Sequence, residues 1–136
     1  MPHMTVDDIP AHPGLFPGTA VRVVFGEAGR GGEVGASARI VLGVITLQPG
    51  ATIPPHQHNI DEAFYVLKGS GVASVGVDEF RVSTGDALLS HAGELHGFRN
   101  ESSHTVRLLF VYPGTDVKAE YPGLAQRISK RASRLF

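Results

Sequence analysis

Cysteine is absent from the 136-residue chain. That excludes a disulfide framework, a thiolate zinc site, an iron–sulfur cluster and a cysteine nucleophile. A surplus of either charge is also missing. Twelve Lys and Arg stand against thirteen Asp and Glu, a net charge of −1. Such a balance carries no electrostatic footprint for nucleic acid or an anionic membrane. No apolar run approaches the ~18–20 residues of a membrane span. The first residues, MPHMTVDDIPAHPG, have neither the basic start nor the apolar stretch of a secretory signal. A cytoplasmic protein of one ordinary domain is expected, with a small molecule as its partner.

What is present begins with a globular balance of 42% hydrophobic and 18% charged residues, which can fill a core. The 17 glycines and 9 prolines make up about a fifth of the chain, against about 12% in average proteins. That excess predicts many turns and few long helices. Histidine is the other excess: of seven copies, five lie between His56 and His104.

Residues 1–18 hold four of the prolines and read as an irregular arm that packs on the domain or on a second subunit. Short apolar segments follow at 20–25, 39–47, 63–68, 71–77, 79–82, 87–90, 97–100 and 105–112, each bounded by Gly, Pro, Asn, Asp or Ser. Such spacing predicts an all-β sandwich or barrel over 19–115. The glycine-rich stretch 26–37 lacks the Gly-Lys-Ser/Thr of a phosphate loop and reads as a surface hairpin. The tail 116–136 is basic. Leu124, Ile128 and Leu135 form an apolar stripe after Pro122-Gly123, which predicts a short C-terminal helix.

His56-Gln57-His58 places two imidazoles on one face of an extended strand. Facing a barrel interior, that pair is costly unless something binds it, because buried histidine must satisfy both ring nitrogens. A divalent metal does so. Glu62, four residues on, supplies an anionic oxygen suited to an imidazole-rich site. Local spacing thus yields two or three ligands, and His96, in ELHGF, is the natural candidate for a further one. His-x-His alone is a weak signal in so histidine-rich a chain.

The glycines around these residues add specificity. Gly50, His56, His58, Glu62 and Gly69 resemble the first motif of the cupin superfamily at every defining position. Gly85, Gly93, His96 and Asn100 resemble the second. The resemblance, to small single-domain bacterial metallo-cupins, spans 50–100 and extends through the flanking strands to about 20–112. It implies an all-β cupin double-stranded β-helix, a jelly-roll barrel. It also implies one divalent transition metal held by His56, His58, Glu62 and His96, with iron first and Mn, Ni, Zn, Co or Cu as alternatives. Small cupins commonly pair, so a homodimer is expected, open sheet edges needing cover.

One position departs from the pattern. His91 stands where the second motif usually has proline, so a looser turn is expected. His91 is a candidate acid/base near the metal, weighed against a rim residue in a surface turn. Tyr65 is a second candidate proton donor. Phe64, Val66, Phe98, Leu108 and Phe110 are expected to wall the pocket. Lys68 shares the parity of Glu62 and is a candidate inward cation. Asn100 is expected to brace a strand end, and His3, His12 and His104 to stand apart from the site.

Because the fold hosts unrelated chemistries, it decides little about the reaction. The reading put first is an iron(II) dioxygenase acting on a small organic molecule. The alternatives are a non-redox isomerase, cyclase, lyase or decarboxylase, in which the metal polarises a carbonyl, and a non-catalytic ligand-binding cupin.

Overall fold

The computed structural model describes residues 3–26, 35–37 and 39–122. The expected C-terminal helix and most of the glycine-rich loop lie outside them. After a 3₁₀ turn at Val6–Asp8 the strands run in order: β1 (His12–Pro13), β2 (Thr19–Phe25), β3 (Val41–Leu47), β4 (Thr52–His58), β5 (Glu62–Lys68), β6 (Ser70–Val75), β7 (Asp78–Ser83), β8 (Ala87–Ser90), β9 (His96–Arg99), β10 (Val106–Tyr112) and β11 (Ala119–Glu120).

The strands form two antiparallel sheets. One has the order β1-β2-β3-β10-β5-β8, the other β11-β4-β9-β6-β7. They close as an all-β double-sheet barrel. In β10, between β3 and β5, Val106, Leu108, Phe110 and Tyr112 are buried and the residues between them are half-buried. This period of two turns one face of a β-branched and aromatic strand into the core. Burying each such side chain contributes about 1.5–3 kcal/mol before entropy. Ile45 and Leu47 answer from β3, Val66 from β5, and Ile53, Ala73 and Phe98 from the second sheet.

The punctuation has a backbone cause. Gly50, Gly69, Gly85 and Gly93 all have φ between +79° and +97°, a region that side chains disfavour. The N-terminal arm packs on its own domain. Its strand β1 extends the first sheet along β2, with His12 opposite Val21. Arg22 Nε donates to Ile9 O, and Arg107 pairs with Asp7 at 2.8 Å. The tail up to Pro122 contributes β11, which pairs with β4, Ala119 opposite His58.

Candidate metal centre

Two strands of one sheet and one of the other converge on a buried polar cluster. On β4, Ile53, His56 and His58 are all buried. Ile53 and His56 are three residues apart, which strict alternation would send to opposite faces. The ladder resolves this. Ile53 faces Phe98 and His56 faces His96, so β4 carries one residue more than β9 across the interval. The extra residue falls at Pro54-Pro55, a bulge that suits residues with no N–H to offer a ladder. Opposite it, a Cβ on Gly97 would lie 2.7 Å from Ile53 O. The bulge resets the phase so that both histidines of the pair point inward.

His56, His58 and His96 offer ring nitrogens that all lie within 4.8 Å of one another, and all three residues are buried. Glu62 enters from β5, its Oε2 2.9 Å from His58 Nε2 and 3.8 Å from His96 Nε2. His56 Nδ1 lies 2.9 Å from Pro54 O. His96 Nδ1 lies 3.0 Å from Glu94 O and 2.9 Å from Ser90 Oγ. A carbonyl oxygen only accepts, so each of these Nδ1 atoms carries the hydrogen. In a neutral ring so placed Nε2 keeps a lone pair, and backbone carbonyls hold both rings in place.

These residues fit a cation. Among the described residues, His58 Nδ1, Glu62 Oε2 and His96 Nε2 are buried without a hydrogen-bond partner, an unfavourable state for polar atoms. Three atoms of this kind on neighbouring candidate ligands are what a divalent ion would satisfy. Burial, followed by the neighbouring His96 and His58, pushes His56 down to about 3, so its ring is neutral. Burial acts to raise the Glu62 carboxyl, but contact with His58 and His96 outweighs it and holds the group at about 2. The cluster thus combines a neutral His56 ring and two further imidazoles with one carboxylate.

Beside it lies a narrow cavity of about 30 Å³, walled by Phe64, Val66, Phe98, Leu108 and Phe110 together with Ile45 and Ile53. Two of its aromatic walls rest on bare backbone. A Cβ on Gly43 would lie 2.5 Å from Phe110 Cζ, and one on Gly71 would lie 2.5 Å from Phe98 Cζ.

Lys68 does not reach the cavity; it is exposed. Along β5 and β10, Val66 faces Leu108 but Lys68 faces Arg107, which leaves Leu67 as an extra residue. This second bulge reverses the alternation and turns Lys68 outward with Arg107. Tyr65 is 43% exposed on the outer face, opposite Leu109 and Ala87. The His91 side chain is 69% exposed and 3.8 Å from Asp61, away from the cavity. Its turn is pinned without proline. Glu94 N–H donates to His91 O, His91 N–H to Glu94 Oε1, and Ala92 N–H to Asp61 Oδ1. Asn100 braces the strand end, donating to Leu47 O and His104 O and accepting from Ser102. His3, His12 and His104 are exposed.

Sequence reasoning passed over three polar residues at the centre. Ser90 Oγ contacts His96. The Tyr112 hydroxyl is 3.3 Å from His58 Nε2. Burial and then the Glu62 charge push its phenol well above the usual tyrosine range. Tyr121 stacks on His56, with ring centroids 4.8 Å apart and planes 20° apart, and burial and Glu62 likewise push its phenol up. The inward parity of Leu108 and Phe110 on β10 extends to Tyr112 and could have found it.

A family model described as a cupin domain matches residues 43–112. The tetracenomycin polyketide synthase protein TcmJ of Streptomyces glaucescens is 33% identical over 79 residues, covering 57% of this chain. The chain spans about half the length of this curated relative, 52% of it. The polyketide cyclase RemF of Streptomyces resistomycificus superposes with a TM-score of 0.76 at 26% identity, covering 93% of this chain and 88% of its own. A sugar phosphate isomerase of Silicibacter pomeroyi shares the fold, with a TM-score of 0.72 at 23% identity over 90% and 83% of the two chains.

Proposed function

The chain belongs to the cupin family, and on that premise we propose that it is a metal-dependent enzyme that closes a ring in a polyketide-type substrate. Such a substrate is an apolar carbon chain bearing carbonyl groups. The observation that carries this reading is the pairing of a buried donor set of three histidines and one glutamate with a cavity whose other walls are apolar and aromatic. The likeness to a polyketide cyclase over most of both chains supports it, as does the likeness to a polyketide synthase protein over part of the chain.

His56, His58, Glu62 and His96 would hold the ion, which when bound supplies a Lewis acid for a carbonyl or enolate oxygen. The Nδ1 hydrogen bonds of His56 and His96 preset which nitrogen faces the centre. Glu62 contributes the one negative charge. Phe64, Phe98 and Phe110 line the apolar side of the centre and would keep water from the two reacting carbons of one chain. A C–H beside one carbonyl gives up its proton, the carbon bonds to a second carbonyl carbon, and that oxygen takes up the proton as a hydroxyl; where the same carbon gives up a second proton, the hydroxyl takes it and leaves as water and a C=C bond forms in its place. No electron acceptor enters the balance. At about 30 Å³ the cavity takes only the reacting end of such a substrate, which would enter past half-buried Phe64 and Leu88. None of the lining residues is lysine or arginine, which disfavours a phosphorylated substrate.

The test is turnover of a linear poly-ketone by metal-loaded protein with and without O₂. Ring closure is expected to proceed equally in both, giving a product isomeric with the substrate or lighter by water. Turnover that stops without O₂ and places its oxygen in the product would overturn this reading in favour of the iron(II) dioxygenase, which uses the same donors.

A further inference from the structure

The centre is bordered by two phenols that the donor set does not use. Tyr112 closes the inward row of β10, and its hydroxyl stands 3.3 Å from His58 Nε2. Tyr121 arrives from the opposite sheet, one residue beyond β11, which hydrogen-bonds to β4. Its ring is clamped between His56, stacked at 4.8 Å, and Phe16 of the N-terminal arm, edge-on at 5.3 Å. Tyr121 is 4% exposed, yet its hydroxyl has no hydrogen-bond partner among the described residues.

A buried hydroxyl without a partner is unfavourable. The Tyr121 ring is fixed by packing on both sides. The Tyr112 hydroxyl lies against two of the proposed donors, His58 Nε2 at 3.3 Å and the Glu62 carboxylate. That nitrogen has a single lone pair, so donating it to an ion withdraws it from the hydroxyl. Loading the centre thus leaves two buried O–H donors beside it, both within the influence of the Glu62 charge. We infer that the hydroxyls of Tyr112 and Tyr121 form a two-phenol donor site for an anionic oxygen bound at the centre, such as the enolate or alkoxide of a carbonyl substrate. Donors fixed before the charge develops stabilise it most. This rests on reading the centre as a metal site for an oxygen-bearing substrate, and it assigns the oxygen's hydrogen bonds to two residues of the chain.

The test uses the full-length protein loaded with cobalt(II), whose visible spectrum reports ligands at the centre. Two probes are titrated: acetohydroxamate, which presents anionic oxygens, and imidazole, which once bound has no free acceptor. Tyr121→Phe and Tyr112→Phe are each expected to weaken acetohydroxamate about tenfold, and the double variant further, while imidazole affinity and cobalt content stay at the wild-type level. Acetohydroxamate affinity unchanged in both single variants would overturn the inference, and so would equal losses for both probes. A second readout needs no change at the centre. The chain has three tyrosines, so Tyr65→Phe leaves only these two to report. In that variant, acetohydroxamate binding should produce a tyrosine ultraviolet difference band, and its absence would count against the site. A chain that takes up no cobalt would sink the metal reading and this inference together. Cobalt uptake with a probe indifferent to the phenols would sink the inference alone, and the ring-closure assay stands apart from both.

Discussion

Glu62 and Ser90 face each other in the ladder between β5 and β8. One position of that ladder thus delivers both the carboxylate of the centre and the hydroxyl that touches His96 Nδ1 at 2.9 Å. The register of two strands in one sheet thereby sets the ring orientation of a histidine in the other. Ser90→Ala should weaken metal binding about 10–100-fold with little change in fold, measured by competition against a chromophoric chelator. Unchanged affinity would mean that Glu94 O alone orients the ring.

His58→Ala combined with Glu62→Ala should abolish metal binding while the barrel's circular dichroism persists. The wild-type protein should carry about one ion per chain. At a hundredfold excess over Kd, the ion should stabilise wild type by ~2.7 kcal/mol and the double variant not at all. Thermal unfolding with and without metal checks this, and an equal metal shift in both proteins would rule out these ligands.

The metal-free protein should be acid-labile. The folded state holds His56 at about 3, below its ordinary 6.5. The unfolded chain therefore binds that proton first, and the contribution to stability is full above 6.5 and lost as pH falls toward 3. Glu62, lowered from 4.5 to about 2, acts in the same direction over a lower window. Melting temperatures of chelator-treated protein from about pH 8 down to about pH 4 should fall, starting near the ordinary histidine range. A flat profile would contradict the buried neutral state of His56.

Asn100→Ala should destabilise the fold by about 3 kcal/mol, because it leaves the Leu47 and His104 carbonyls without their side-chain donor. Chemical denaturation reads the loss directly. Metal stoichiometry at low temperature should be unchanged, since Asn100 touches no residue of the centre.

The legible parts of this molecule were those with local causes. Four glycines at fixed spacing marked turns because positive φ is a one-residue requirement. His56 and His58 paired because residues two apart share a strand face. What escaped depends on other strands. Lys68 was assigned inward by parity, and the bulge at Leu67, visible only against β10, reversed it. The strand β4 hides in TIPPHQH, where two prolines argue against a ladder until their bulge opposite Gly97 is seen. Tyr121 sits in a tail read for its charge, and only long-range pairing of β11 with β4 brings it to His56. Tyr65 is a candidate by residue type and nearness in sequence, and the structure places it on the outer face; His91 lies exposed in its turn, as the rim reading has it.

Gly43 and Gly71 hold a record that no side chain carries. Each lies beneath a ring that forms a wall of the cavity, Phe110 on one sheet and Phe98 on the other. The calibre of the chamber is therefore written as two omitted methyl groups on opposite walls. An alanine at either place would meet a backbone carbonyl as well as the ring, Arg22 O at 2.8 Å behind Phe110 and Arg99 O at 2.6 Å behind Phe98, so ring and strand would both have to shift. The width of the chamber is thus held from behind its walls, by backbone packed too closely to admit a single methyl group.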